Sequence, residues 1–124
     1  MLQLRSMINV ADNTGAKIVQ LIGIPKKGNR KYAYLGELFT GVVKFSTPFG
    51  QVKKSEVVTA VIVRTRKEVR RKDGSYIRFD DNACVILQSK DVVDPKGTRV
   101  FGPIAKEVKD KGYNKIASLA PEIY

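Results

Sequence analysis

Residues 60–86 read AVIVRTRKEVRRKDGSYIRFDDNACVI, two apolar-led strands around a Lys-Asp-Gly-Ser turn. Asp73-Gly74 between strand-like runs is a strong hairpin signal, because the turn needs a residue that tolerates positive φ. At the root, Val61, Ile62 and Val63 suit a buried pleated surface. Farther out, Arg64, Arg66, Lys67, Arg70, Arg71 and Lys72 repel one another unless counter-charge is supplied. The root therefore belongs in a core, and the tip in solvent or against nucleic acid.

A one-residue slip in pairing sends every side chain to the opposite face, so the register can be tested on the residues themselves. A two-residue loop sets Val69 against Arg78 and Val63 against Cys84, leaving the apolar face of the return arm (Ile77, Phe79, Ala83, Val85) opposite mostly charged partners. A three-residue loop of Lys72, Asp73 and Gly74, with Gly74 left-handed as a bulge, pairs Val69 with Ile77, Val63 with Ala83 and Val61 with Val85. The same register puts Glu68 opposite Arg78 and Arg66 opposite Asp80. It leaves Arg64, Arg70, Arg71 and Lys72 with no obvious local partner.

The 124 residues are enough for one core and too few for two ordinary ones, so one domain over residues 1–124 is expected. Lys and Arg number 23 against 12 Asp and Glu, a net charge of +11. Such an excess opposes compact folding unless a partner neutralises it, so a polyanion is the first candidate partner. No apolar run approaches the length of a membrane-spanning helix and no signal-peptide pattern opens the chain, so a soluble, unexported protein with no membrane partner is expected. Cys84 is the only cysteine and lies in the apolar run ACVIL, where it reads as a small buried side chain. Histidine is absent, which removes the commonest general base and a common metal ligand.

Along the chain, residues 2–10 read as a strand entering the turn Ala11-Asp12-Asn13-Thr14-Gly15, and residues 16–24 as a second strand stopped by Pro25 and a basic loop. Gly36-Glu37 opens another strand, LFTGVVKF, and Thr47-Pro48-Phe49-Gly50 closes it. Short strands with Gly/Pro punctuation point to a mainly β fold, a small antiparallel barrel that removes exposed edges by closing. From Pro103 the pattern turns helical: residues 103–111 place Ile104, Ala105 and Val108 on one face, with Pro103 in the first turn and Gly112 at the stop. Residues 115–120 suit one further turn before Pro121.

Cations occupy nearly every connection: Lys26, Lys27, Arg30 and Lys31, then Lys53 and Lys54, then the hairpin, then Lys96 and Arg99. A spread of this kind fits a protein lodged among folded RNA helices better than one sliding along a duplex groove. Tyr32, Tyr34, Phe49 and Tyr76 lie beside basic residues and are candidates for stacking on bases, although barrel aromatics more often fill cores. Asp73, Asp80 and Asp81 invite a magnesium-dependent nuclease reading, but adjacent strand residues point to opposite faces, so Asp80 and Asp81 do not readily share an ion. No cofactor is implied, and an enzyme is not the expected class. A free regulatory RNA- or single-stranded-DNA-binding barrel is the alternative to a structural RNA-binding protein.

The 60–86 run, with VADNTGA near the start, GTRVFGPIAKE near the end and the closing SLAPE, resembles the universal large-subunit ribosomal protein family numbered fourteen, in its bacterial or organellar form. The resemblance covers almost the whole chain. It implies a five-stranded β-barrel with a projecting hairpin and short C-terminal α-helices, in a structural constituent of the large ribosomal subunit, cytoplasmic or in an organelle ribosome. The implied partners are large-subunit 23S-type rRNA, the large-subunit proteins numbered three and nineteen, small-subunit 16S-type rRNA across an intersubunit bridge, and a ribosome-silencing factor. The rRNA-binding candidates are Lys26, Lys27, Arg30, Lys31, Lys53, Lys54, Arg64, Arg66, Lys67, Arg70, Arg71 and Lys72. The family's face for the small subunit and the silencing factor falls on Thr98, Arg99 and Lys115. Gly112-Tyr113-Asn114 stands where relatives often carry a charged or bulky apolar run.

Overall fold

The computed structural model of the protein describes residues 2–25, 31–89 and 91–124. Strands β1 (Met7–Val10), β2 (Ala16–Gly23), β3 (Leu38–Ser46), β4 (Val57–Arg64) and β7 (Ala83–Ser89) each pair antiparallel with the next. β7 then returns to β1 in parallel register, Asn9 against Ala83 and Val10 against Cys84, and the sheet closes as a five-stranded barrel. Between β4 and β7 the chain makes the small hairpin β5 (Val69–Arg70) and β6 (Tyr76–Ile77). β8 (Val92–Pro95), which the sequence pattern did not announce, pairs back on β7.

The apolar runs of β4 and β7 show little alternation because both faces of these strands are buried. Ala60, Ile62, Cys84 and Ile86 point into the barrel with Ile8, Leu21, Phe39 and Val43. Val61, Val63, Ala83, Val85 and Leu87 face outward and are covered by Ile104, Val108, Tyr113 and Ile116. The cover comes from α1 (Lys106–Asp110), α2 (Asn114–Leu119) and the residues leading into them, Ile104 and Tyr113; helices this short do not persist alone. Burying each Val or Ile contributes about 1.5–3 kcal/mol relative to exposure, so packing rather than propensity holds them.

The expected helix start at Pro103 gives way to a start at Lys106. Ile104 is taken up by a parallel bridge with Ile123: its N–H donates to the Glu122 carbonyl and its carbonyl accepts from Tyr124 N–H, each at 3.0 Å. Ala105, extended at φ −80° and ψ 145°, is the cap, and its N–H donates to the Val63 carbonyl at 3.1 Å. Gly112, at φ +101°, ends the helix as expected.

The hairpin register holds at both ends and breaks in the middle. Val69 lies across from Ile77, Val61 from Val85, and Gly74 has φ +89°. The expected Val63–Ala83 pair is absent, because a bulge between Ile62 and Arg64 sets Arg64 against Ala83. Arg66 does not meet Asp80 either. Its backbone N–H donates to Asn82 Oδ1 at 2.9 Å, while Phe79 N–H reaches the Thr65 carbonyl.

Candidate nucleic-acid interface

At the tip, Asp73 Oδ1 accepts from Ser75 Oγ at 2.6 Å and from Ser75 N–H at 3.0 Å, and this pair of bonds holds its carboxyl below the usual range. Arg71 N–H to the Ser75 carbonyl (2.8 Å) and Gly74 N–H to the Arg71 carbonyl (3.0 Å) close the turn. Arg66, Lys67, Arg70 and Lys72 are all exposed along this arm. Lys67 pairs with Glu68 at 2.8 Å and, with a weaker contribution from Arg78, keeps that carboxyl low. Arg66, Arg70 and Lys72 have no acidic partner among the described residues.

Arg64 and Arg71, which local pairing left without partners, both have distant ones. Arg64 is buried; its Nε meets Asp81 Oδ1 at 3.1 Å, and its Nη1 donates to the carbonyls of Phe101 (2.8 Å) and Pro103 (3.0 Å). Those contacts staple the segment entering α1 to the end of β4. Arg71 is half-buried; its Nη2 donates to Glu107 Oε1 at 2.8 Å and to the Tyr124 backbone oxygen. Of the acids weighed as metal ligands, Asp81 is thus committed to Arg64 and Asp73 to Ser75. No cluster of metal-ligating side chains occurs among the described residues.

Lys31, Lys53 and Lys54 are exposed; Lys26, Lys27 and Arg30 lie outside the described residues. Strand direction puts Lys31, between β2 and β3, at the barrel end from which the hairpin leaves, and the 47–56 connection, with Lys53 and Lys54, at the other. There the 47–56 loop meets the 11–15 turn so closely that a Cβ on Gly15 would lie 2.5 Å from the Gly50 Cα. Phe49 is 99% exposed on that loop, and Tyr76 is exposed beside the hairpin tip, so neither is a core aromatic. Phe39 fills the barrel instead.

Thr98, Arg99 and Lys115 are exposed, and the fold brings Thr98 and Lys115 to one shallow groove with Gly97 and Asp94. Lys115 Nζ pairs with Asp94 at 3.1 Å, a contact weak enough at this exposure to leave the ammonium available. Arg99 is beside Thr98 without lining that groove. Both are positioned by Asn13, whose Oδ1 accepts the N–H groups of Thr98 (2.8 Å) and Arg99 (3.1 Å). The residue motif around Asn13 read only as a turn; its hold on a loop 85 positions away carries no local signal. Lys106, which lines a groove with the hairpin tip, was missed because it sat in a pattern read for its apolar face.

Beneath this region, Asp12 is buried with Oδ1 accepting from Thr14 Oγ1 (2.7 Å) and N–H (3.2 Å), and Oδ2 accepting from Ile86 N–H (2.9 Å). Burial pushes its carboxyl up despite these bonds. Cys84 is fully enclosed in the barrel, and burial drives its thiol well above the ordinary range, so it is not a nucleophile. Among the described residues no helix is long and apolar enough to cross a membrane.

Residues 1–124 match the family described as Ribosomal protein L14p/L23e. Among curated proteins the chain is similar to the large ribosomal subunit protein uL14 of Aquifex aeolicus (strain VF5), 59% identical over 123 residues that cover 99% of each chain. It is also similar to the large ribosomal subunit protein uL14 of Aquifex pyrophilus, 58% identical over the same share of each. The closed barrel, the basic hairpin and the C-terminal helices therefore belong to a member of the ribosomal protein L14p/L23e family, a structural component rather than an enzyme.

Proposed function

We propose that the chain, as one unit over residues 1–124, binds large-subunit 23S-type rRNA through the hairpin tip and the barrel connections. The observation that carries this reading is the set of exposed cations with no acidic partner among the described residues, Arg66, Arg70 and Lys72, along the outgoing arm and turn of the hairpin. Lys31 at the same barrel end and Lys53 and Lys54 at the other give phosphate contacts from more than one direction, as folded RNA requires. Lys26, Lys27 and Arg30 are proposed contacts on sequence grounds alone. Arg64 and Arg71 enter the proposal through the positions they hold rather than as free cations.

Thr98, Arg99 and Lys115 are proposed as a separate face toward small-subunit 16S-type rRNA and a ribosome-silencing factor, with the large-subunit proteins numbered three and nineteen as neighbours. What supports the split is that Thr98 and Arg99 are held by Asn13 and Lys115 is carried by α2, none of them by the hairpin.

Sedimentation of a lysate tests the assignment: the chain should travel with large subunits, and a free RNA-binding module would stay near the top of the gradient. The hairpin is tested by salt dependence of rRNA binding. Replacing Arg70 and Lys72 together with Ala should flatten the slope of log K against log salt by up to about two units, since each neutralised phosphate contributes roughly 0.9 on a duplex. An unchanged slope would move the contacts to the barrel connections. Arg99→Ala with Lys115→Ala should leave incorporation intact and weaken silencing-factor binding; the reverse result would exchange the two faces.

A further inference from the structure

The β5–β6 hairpin is paired over only two residues on each arm, and a two-stranded hairpin of that size is marginal by itself. Its apolar purchase on the barrel is partial: Val69, Ile77 and Phe79 pack against the inner core without being fully buried. Something else must fix the tip. The Arg71 guanidinium is the group in place to do so, since it spans from the turn to Glu107 Oε1 and to the Tyr124 backbone oxygen.

Glu107 is a firm anchor. It lies in the first turn of α1, whose Val108 is buried, whose cap bonds to β4, and whose backbone at Glu107 approaches Gly36 so closely that a Cβ there would sit 3.1 Å from the Glu107 oxygen. The contact is partly shielded: the Arg71 and Glu107 side chains are 26% and 23% exposed, and Arg71 Nε and Glu107 Oε2 are buried without a protein hydrogen-bond partner among the described residues, so each charge depends on the other more than a fully exposed pair would. The same groove is lined by Arg70 and Lys72 on the hairpin and by Lys106 and Asp110 on α1. Asp110 makes no ion pair among the described residues.

We propose that Arg71 is a positioning residue for RNA binding, clasping the hairpin onto α1 so that the flanking cations Arg70 and Lys72 are held in place, and that Glu107, an acid, favours binding of a polyanion. The inference rests on the reading that the hairpin meets rRNA. It differs from simple electrostatics in sign. Glu107→Gln and Asp110→Asn each remove one negative charge from the same groove, and if charge alone mattered both would tighten rRNA binding equally. The clasp requires opposite effects: Asp110→Asn tightens binding by up to about twofold, and Glu107→Gln weakens it by about threefold or more although the chain becomes more positive.

The experiment measures binding of the full chain and both variants to deproteinised large-subunit rRNA, with amide hydrogen exchange at Arg71 and Gly74 of the free proteins. Exchange at those two amides should quicken in Glu107→Gln and stay unchanged in Asp110→Asn, while circular dichroism shows the barrel intact. Equal tightening by both variants, or unchanged exchange in Glu107→Gln, overturns the clasp. Failure of the unaltered chain to bind rRNA overturns the RNA reading instead, and the exchange data separate the two failures because they need no RNA.

Discussion

Asn13 holds Thr98 with both ends of its side-chain amide: Oδ1 accepts from the Thr98 N–H at 2.8 Å, and Nδ2 donates to Thr98 Oγ1 at 2.8 Å. The 11–15 turn is thereby the support on which the 97–99 loop rests, with Gly97 buried and Thr98 and Arg99 exposed. Gly97 is needed at the contact, since a Cβ there would lie 2.6 Å from Asn13 Oδ1.

Asn13→Ala should therefore cost about 1 kcal/mol in global stability, the size of an ordinary net hydrogen-bond contribution, and speed amide exchange at Thr98 and Arg99. Asn13→Asp keeps the acceptor, and the Thr98 hydroxyl can turn to donate, so it should protect those amides nearly as well. Equal exchange in the Ala variant and the unaltered chain would show that the loop does not depend on Asn13.

Arg64→Met should destabilise the fold by about 2 kcal/mol, chiefly because it leaves the carbonyls of Phe101 and Pro103 without their donor; Asp81, partly exposed and also reached by Asn9 Nδ2, adds little. Urea unfolding measures this. Gly102→Ala should act on the same contact, since its Cβ would meet Arg64 Nη1 at 2.5 Å and Gly102 has φ +77°. A midpoint unchanged in both would mean that the staple contributes nothing.

Gly74→Val should cost about 1–2 kcal/mol of turn stability from backbone conformation alone, because φ is +89° and nothing lies within 4 Å of an added Cβ. Gly74→Asn, better tolerated in the left-handed region, should cost less. If Val and Asn variants melt together with the unaltered protein, φ at this position is not constrained.

Asp12 supplies a pH dependence. Its carboxyl is raised by burial, so the folded state binds the proton more tightly than the unfolded chain. The stability tied to that proton is fully present below the ordinary aspartate value of about 3.9 and is lost as pH rises through the folded value. Asp12→Asn removes the titration but turns an Nδ2 donor toward N–H groups that need an acceptor, so it should be less stable at low pH and close part of the gap as pH rises through that window. Stability differences from urea curves at several pH values check this; a gap that widens with rising pH would contradict the assigned direction.

The hairpin was legible because its signals are local: Asp73-Gly74 sets the turn, and apolar residues two apart set the face, so Val69 finds Ile77 and Val61 finds Val85. Those signals fail where a distant partner intervenes. Arg64 looked like a free cation of the arm, yet carbonyls 37 and 39 positions later draw it inward, and the bulge at Val63 sets it against Ala83. Pro103 looked like a helix start until Ile104 was claimed by Ile123, a pairing no helical period encodes. Likewise the 98–99 and 115 positions came from resemblance, and only the fold shows Asn13 and Asp94 holding them.

The parallel pairing of β1 with β7 has a consequence in time. Antiparallel neighbours β2, β3 and β4 can form as a meander soon after they are made, but β1 completes its second edge only when residues 83 and 84, more than 70 positions later, have been synthesised. Until then the barrel is an open sheet with its interior faces, Ile8, Leu21 and Phe39, exposed to other chains. Because the loop between the two strands must be closed before their contacts repay its entropy, closure is a late and comparatively slow event in folding. The basic hairpin sits inside that loop, so rRNA that captured it early would shorten the search for the closing strand.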